Sequence, residues 1–412
     1  MSGSTGNYFK RFLPSEHSLK LLLLQLFLST AFEIIMDAFE TLPPEIIIRI
    51  IQYAADFVGI QSLLVVSPRV HAVFEAQPYR ITEDLIVSNP MTTMPEIRNL
   101  LRYTALVPTV HRSSLDNYIG IMCESTSSVL PREMSFAQLH QLVQIAAQVQ
   151  RLACVCLSTM QQNFVSAVGA TPAGSLCGAA RAQKASQPFS WIEEYRVYWA
   201  LWHLVYFSIL HEAAKALPAD SVQGIYACAV RSQRDTPRNE YIWTVAAVLS
   251  DLGLHPSYGD SAQQEPSKAF WDLPEETPIP LFTSFEFIFE NYLIWSPQPV
   301  PESTPVISIW SRGADMCDHS SVQTGRFSSY SRRLLRCIPS SAAMLDMRPF
   351  RRLGVLLWDT WRVFSVGLLK KPRRGIIPTP EGGFLNSDSD NSPRLTIQED
   401  ASIWLAMIGK TL

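Results

Sequence analysis

The chain has 412 residues, of which 47% are hydrophobic and 17% charged, with a formal net charge of −3. That length accommodates two or three domains, and a charge content below the globular average of about 25% argues against a mostly disordered chain. Near-balanced charge argues against a nucleic-acid or other polyanion partner for the chain as a whole, and no membrane partner is expected. The seven cysteines (Cys123, Cys154, Cys156, Cys177, Cys228, Cys317 and Cys337) are odd in number and irregular in spacing. A disulfide framework favours an even count in a shorter secreted chain. Reduced structural thiols, and a location in the cytoplasm or nucleus, are the expectation.

Residues 1–36 read as a leader. Lys10 and Arg11 precede LKLLLLQLFLSTAF, in which Leu21 to Leu28 has the length of a signal-peptide apolar region. Ser29-Thr30-Ala31 is tolerable as a cleavage site, and the run is too short to span a bilayer unaided. An amphipathic helix, or an upstream extension of a gene whose natural start is Met36, fits the same residues.

LPPEIIIRII, Leu42 to Ile51, opens the folded part. Pro43 and Pro44 suit a helix N-terminus, where missing amide protons cost nothing, and Glu45 falls in the first turn, favoured by the helix dipole. Ile46 and Ile50 share one face, with Ile47, Ile51 and Ala54 beside them. A second apolar segment runs from Ile60 to Val66 and carries Leu63 and Leu64. Ser67-Pro68 then caps a third helix presenting Val70, Val73 and Phe74 before Pro78 ends it. Burying so few side chains at about 25 cal/mol per Å² barely offsets the cost of ordering about 40 residues. Such a unit needs a larger body or a partner against its apolar side.

Downstream the pattern is helical nearly everywhere, and the fold class expected is all-α. Ser135 with Gln138 and Ser190 with Glu193 read as capping boxes. The first introduces Leu139, Leu142, Val143, Ala146, Val149, Leu152 and Ala153 at helical spacing. The second opens SWIEEYRVYWALWHLVYFSIL, apolar nearly all round from Val197 to Leu210 and therefore central to a core, with its stop at Leu217-Pro218. Thr283 with Glu286 introduces FEFIFENYLIW, read as helix, and Pro349 precedes FRRLGVLLWDTWRVF, read likewise. Thr396 with Glu399 caps a final helix carrying Ile397, Ala401, Trp404, Leu405 and Ile408. Only Val306 to Trp310 reads as extended. Residues 168–189, 255–280 and 296–305 read as breaks, and 370–395 as a mobile loop. No repeat period of 20 to 50 residues appears.

The residues that carry chemistry elsewhere fall short of a site here. Gly169 to Ser175 has the glycine spacing of a phosphate loop but lacks its lysine and its preceding strand. Cys154 and Cys156 sit two apart in a helix, about 200° from each other, and cannot share a metal. Cys317-Asp318-His319 has no second cluster to complete a tetrahedral site. His203 lies in the most apolar helix with no acid or nucleophile at helical spacing, and reads as a core histidine. His211-Glu212 lacks a second histidine at the zincin spacing, and no serine sits in a G-x-S-x-G elbow. No cofactor, no metal and no catalytic residue are expected. From Arg326 to Arg374 there are twelve basic residues against only Asp346 and Asp359. Neutralisation of acidic faces elsewhere in the chain accounts for them better than an external anion does, although Lys370-Lys371-Pro-Arg373-Arg374 has the make-up of a nuclear address.

The N-terminal pattern resembles the F-box. The residues that carry the likeness are Leu42-Pro43, Glu45-Ile46, Ile50-Ile51, Ile60, Leu63 and Val66-Ser67, with Val70 four residues after Val66. The resemblance covers about residues 37–80, a tenth of the chain. Ala54 or Ala55 stands where a leucine is common, and Val70 where an aromatic residue or arginine is common. What the resemblance implies is a docking module for the Skp-type adaptor of SCF (cullin–RING) ubiquitin ligases, with Leu42, Pro43, Ile46, Ile50, Leu63, Leu64, Val66 and Val70 on the adaptor face. The remainder is similar in style to filamentous-fungal proteins that carry such a box. The organisation expected is therefore a leader (1–36), a short three-helix F-box-like unit (37–80), and a larger irregular helical domain without repeats (81–369) that holds a protein substrate. A loop (370–395) and a terminal helix (396–412) follow. The other reading is a secreted or membrane-associated helical protein that uses the leucine-rich leader.

Overall fold

A computed structural model of the chain describes residues 37–54, 56–107, 130–170, 178–214, 236–254, 257–260, 291–294, 348–368, 377–378 and 384–385. The fold is all-α. In chain order the helices are α1 (Pro44–Ala54), α2 (Phe57–Val66), α3 (Pro68–Ala76), α4 (Pro78–Ser88), α5 (Pro95–Leu106), α6 (Phe136–Ala170), α7 (Gly178–Ala185), α8 (Trp191–Ala214), α9 (Thr236–Asp251), α10 (Arg348–Arg352) and α11 (Thr360–Ser365). Two short antiparallel pairs join β1 (Ser257–Asp260) to β2 (Asn291–Ile294) and β3 (Ile377–Pro378) to β4 (Phe384–Leu385). Tyr258 lies opposite Leu293, and Pro378 opposite Phe384.

The helix starts follow their local chemistry. Proline begins α1, α3, α4 and α5, positions where no intrahelical amide bond is lost. Asp56 caps α2 by accepting from the amides of Val58 and Gly59, both at 3.2 Å, and Ser67 Oγ caps α3 by accepting from Val70 N at 3.0 Å. The Ser135–Gln138 box forms in both directions: Ser135 N donates to Gln138 Oε1 at 2.8 Å and Gln138 N to Ser135 Oγ at 3.4 Å. At the second box Ser190 N donates to Glu193 Oε2 at 2.9 Å, but the Ser190 hydroxyl is buried without a hydrogen-bond partner. Glu193 is turned to a different task, described below.

Core packing centres on α6 and α8, with α9 behind α8 and α5 against both. Trp202, Tyr198, Tyr206 and Leu201 of α8 are buried, as the all-round apolar pattern predicts. One continuous cluster of buried apolar side chains runs from Ile47 to Leu368. The three short N-terminal helices thus find their cover in the larger body, chiefly where α2 lies on α6. Polar bonds fix that seat: Gln150 Nε2 donates to Asp56 Oδ1, and Arg151 Nη1 to Gln61 Oε1, each at 2.5 Å. Packing continues past residue 80, because α1 and α4 are themselves in contact and Gln52 Nε2 donates to Asp84 Oδ2 at 2.6 Å.

Three expectations need correction. The Ala/Gly/Ser stretch 168–189 is not a plain break, since α6 runs to Ala170 and α7 begins at Gly178. The small residues serve close approach: a Cβ on Gly178 would stand 2.3 Å from the Gly169 carbonyl oxygen. Residues 291–294, expected within a helix, form β2, and β1 lies inside the expected break 255–280. NYLI is a short apolar run with β-prone residues, for which periodicity does not decide between helix and strand. Finally, FRRLGVLLWDTWRVF is two short helices instead of one. Gly354, at φ 64°, takes the left-handed position that ends α10. Gly354 N donates to Arg351 O at 2.9 Å and Val355 N to Phe350 O at 3.3 Å, the paired bonds of a Schellman stop. Gly253 ends α9 the same way at φ 74°. Residues 1–36, Val306–Trp310 and the expected terminal helix 396–412 lie outside the described residues.

Arg362 of α11 holds the C-terminal segment in place. Its Nε and Nη2 donate to Glu193 Oε1 and Oε2 at 2.8 and 2.7 Å. Nη1 donates to Ala185 O and Gln187 O at 2.6 and 2.9 Å, and Nη2 also to Pro188 O at 2.8 Å. All five guanidinium protons are thereby used. Glu193 Oε1 also accepts from Asp359 N at 2.9 Å. Both side chains are buried, at 2% and 0% exposed. Removing one partner of such a pair leaves a buried charge uncompensated, which costs roughly 3–5 kcal/mol. Arg362→Met and Glu193→Leu are each expected to lose about that much in urea unfolding, and the double variant less than the sum of the two.

Candidate functional site

The segment before α1 is fixed from below. Asp37 Oδ2 accepts from Ser67 Oγ at 2.7 Å and from Arg69 N at 3.2 Å, while Oδ1 accepts from Phe39 N at 2.9 Å. The Ser67 bond holds the Asp37 carboxyl below its ordinary pKa, against an opposing effect of burial. The turn from Asp37 to Leu42 is therefore tied to the α2–α3 junction. Pro43 O then accepts from Ile46 N and Ile47 N at 3.0 and 3.2 Å and starts α1.

Helix α1 has two apolar sides. Ile47, Ile48 and Ile51 are buried in the core. Ile46 (41% exposed) and half-buried Ile50 face outward, with exposed Arg49 between them. At 100° per residue Tyr53, seven positions after Ile46, completes the same stripe, and it is 88% exposed. Of the eight residues expected on the adaptor face, Pro43, Ile46 and Val66 are exposed, while Leu42, Ile50 and Leu63 are half-buried. Leu64 and Val70 are buried among the chain's own apolar side chains. The sequence reading stopped at Ile50 and so missed Tyr53, although i, i+4, i+7 spacing marks it. It also missed Val65, which is 77% exposed beside Val66. Val87 of α4 is exposed as well, one turn beyond Asp84, which accepts from Gln52 of α1.

Among the described residues, Cys154, Cys156 and His203 are packed in the interior. Cys154 and Cys156 are free and buried. Burial pushes the Cys154 thiol up to about 12 and the Cys156 thiol higher still, so both stay protonated and inert. His203 is buried between Trp199 and Phe207, with ring centroids 4.0 and 5.6 Å away. Among the described residues no group of three His, Cys, Asp or Glu side chains is placed to hold a metal. Cys317-Asp318-His319 lies outside them, as does most of the arginine-rich segment. Of its described members, Arg351 and Arg362 are buried, and Arg352 pairs with Asp251 at 3.0 Å. Arg351 also stacks on Trp243 at 5.6 Å. Arg351 and Arg362 are thus directed into the protein, while Arg352 stays exposed at the surface beside Asp251. α6 is the one described helix long and apolar enough to cross a membrane by length and composition, and most of its apolar stretch is packed inside the protein.

No family model, curated protein or solved structure matches the chain. The outward stripe of α1 and the end of α2 therefore rest on their own geometry as the candidate site.

Behind that stripe, α3 meets α6 through rings. His71, Phe74, Phe136 and His140 have centroids 5.7–6.3 Å apart, with Phe136 and His140 stacked. Burial, and then the neighbouring His71, hold His140 below its ordinary pKa. As pH falls through about 6.5 the unfolded chain takes up this proton before the folded one does. Stability is then lost with falling pH until the folded-state pKa is passed. Urea unfolding between about pH 7 and pH 5.5 is expected to show a shallower loss in His140→Phe than in the wild type.

Proposed function

We propose that the chain is the substrate receptor of an SCF-type ubiquitin ligase. It docks a Skp-type adaptor through the outward side of α1 and the end of α2, and presents a protein substrate on its helical body. The observation that supports this reading is the exposed apolar stripe on a helix whose other side is fixed in the core. Leu42, Pro43, Ile46, Ile50, Leu63 and Val66 form the docking face, extended by Tyr53 and Val65. Leu64 and Val70 act from behind, holding α2 and α3 in position. The receptor supplies no catalytic group; it raises the effective concentration of substrate lysines near the ligase.

Pull-down of a purified Skp-type adaptor by the full chain tests the proposal. Ile46→Asp is expected to reduce recovery at least tenfold, on the order of an interface hot spot, with helical content unchanged because Ile46 already meets solvent. Equal recovery with wild type and Ile46→Asp, or recovery with neither, overturns it.

A further inference from the structure

The outward face of α1 is complementary to itself. Glu45 and Arg49 are both exposed and form no ion pair with each other or with any other described residue, although they stand four positions apart. At 100° per residue they lie on the same flank of the Ile46–Ile50–Tyr53 stripe. When two copies of a helix pack antiparallel about a two-fold axis, the same flank of each copy meets the other. With the axis at the level of Ile47, Glu45 of each copy stands level with Arg49 of the other, twice over. In that register the two Ile46 side chains lie at the centre, about 3 Å apart along the axis, and the Ile50 side chains lie outside them. Tyr53 of each copy then reaches about one turn past Pro44, the first residue of the other copy's α1. The stripe by itself would centre the axis near Arg49 and set like charges opposite each other, so the charged pairs select the register centred on Ile47, in which Ile46 meets Ile46.

We infer that the chain self-associates as a two-fold dimer through antiparallel pairing of α1 with α1 of a second copy. The same stripe is the face assigned above to the adaptor, so the two partners exclude one another, and dimerisation does not depend on the adaptor reading. The exposed apolar area is on the order of a few hundred Å², less than the roughly 800 Å² per partner of a stable interface. The dimer is accordingly weak and reversible, and sensitive to salt.

Sedimentation equilibrium of the purified full chain, without adaptor, tests the inference. Arg49→Glu gives a copy with two acids on the flank, and Glu45→Arg a copy with two bases. Each alone is expected to self-associate about tenfold more weakly than wild type, since two exposed pairs become repulsive. Mixed in equal amounts they are expected to regain association, because every cross pair is again Glu opposite Arg. Tyr53→Ser weakens the dimer without restoring partners. A wild-type chain that stays monomeric up to high micromolar concentration overturns the inference. So does association that ignores both charge variants, which would place the contact elsewhere, or a mixture no tighter than its separate components. Circular dichroism of each variant verifies that α1 is retained. Failure of the adaptor pull-down would leave these results unchanged.

Discussion

The burial of Arg362 against Glu193 sets the terms for the C-terminal half of this protein. Two charges are withdrawn from water far apart in sequence, and each would be prohibitive alone. The structure resolves this by spending the entire hydrogen-bonding capacity of the guanidinium on one carboxylate and three carbonyls. The ring of Trp358 lies 5.2 Å from the guanidinium carbon and that of Phe189 5.9 Å, adding cation–π attraction to the pair. Because those carbonyls belong to the connection between α7 and α8, the arginine fixes the entry to α8 as well as the position of α11. The same region is held from the other side by Arg196, whose Nη1 donates to Leu357 O and Trp358 O at 2.7 and 2.8 Å. A segment with little regular structure of its own is thus pinned between two buried cations.

Burial of this kind leaves Arg351 and Arg362 of the arginine-rich stretch out of reach of an external anion. Buried arginines normally need planar, multivalent partners, and here backbone carbonyls left open at helix ends and loops provide them. Asp251 has its pKa raised by burial, and Arg352 beside it acts in the opposite direction. Among the described residues, Glu193 supplies a buried opposing charge to Arg362 and Asp251 a surface one to Arg352, each from a distant part of the chain.

How much of this was legible beforehand depends on the range of the interaction. The starts of α1, α3 and α6 follow from Pro44, Ser67-Pro68 and Ser135 with Gln138, all local chemistry within four residues. The burial of α8 follows from its lack of a polar side. The fate of Ser190 with Glu193 was not legible, because the competing partner, Arg362, arrives from about 170 residues away. Gly354 stands in a pattern that otherwise reads as one continuous helix, and its positive φ becomes necessary only where Trp358 must turn back beneath α10 and donate to Leu353 O at 2.8 Å. Likewise Leu64 and Val70 look like Leu63 and Val66 in sequence. The seating of α2 on α6, and of α3 against α1, α2 and α4, decides which of the four meet solvent.

That last division carries the functional argument. An isolated three-helix unit would have had to hide its apolar residues against a partner, and the whole set would have counted as interface. Once the body of the protein covers Ile47, Ile51, Leu64 and Val70, the shortage of core that first suggested an interface is already met. What still needs explanation is narrower: Ile46, Tyr53, Val65 and Val66 remain in water on a scaffold too well tied, through Asp37, Asp56 and Gln61, to turn them inward. Among the described residues, α1 keeps this stripe outward while its other side is held in the core. The stripe therefore points to a surface of about one helix in width, one that Ile46 can probe without disturbing the core.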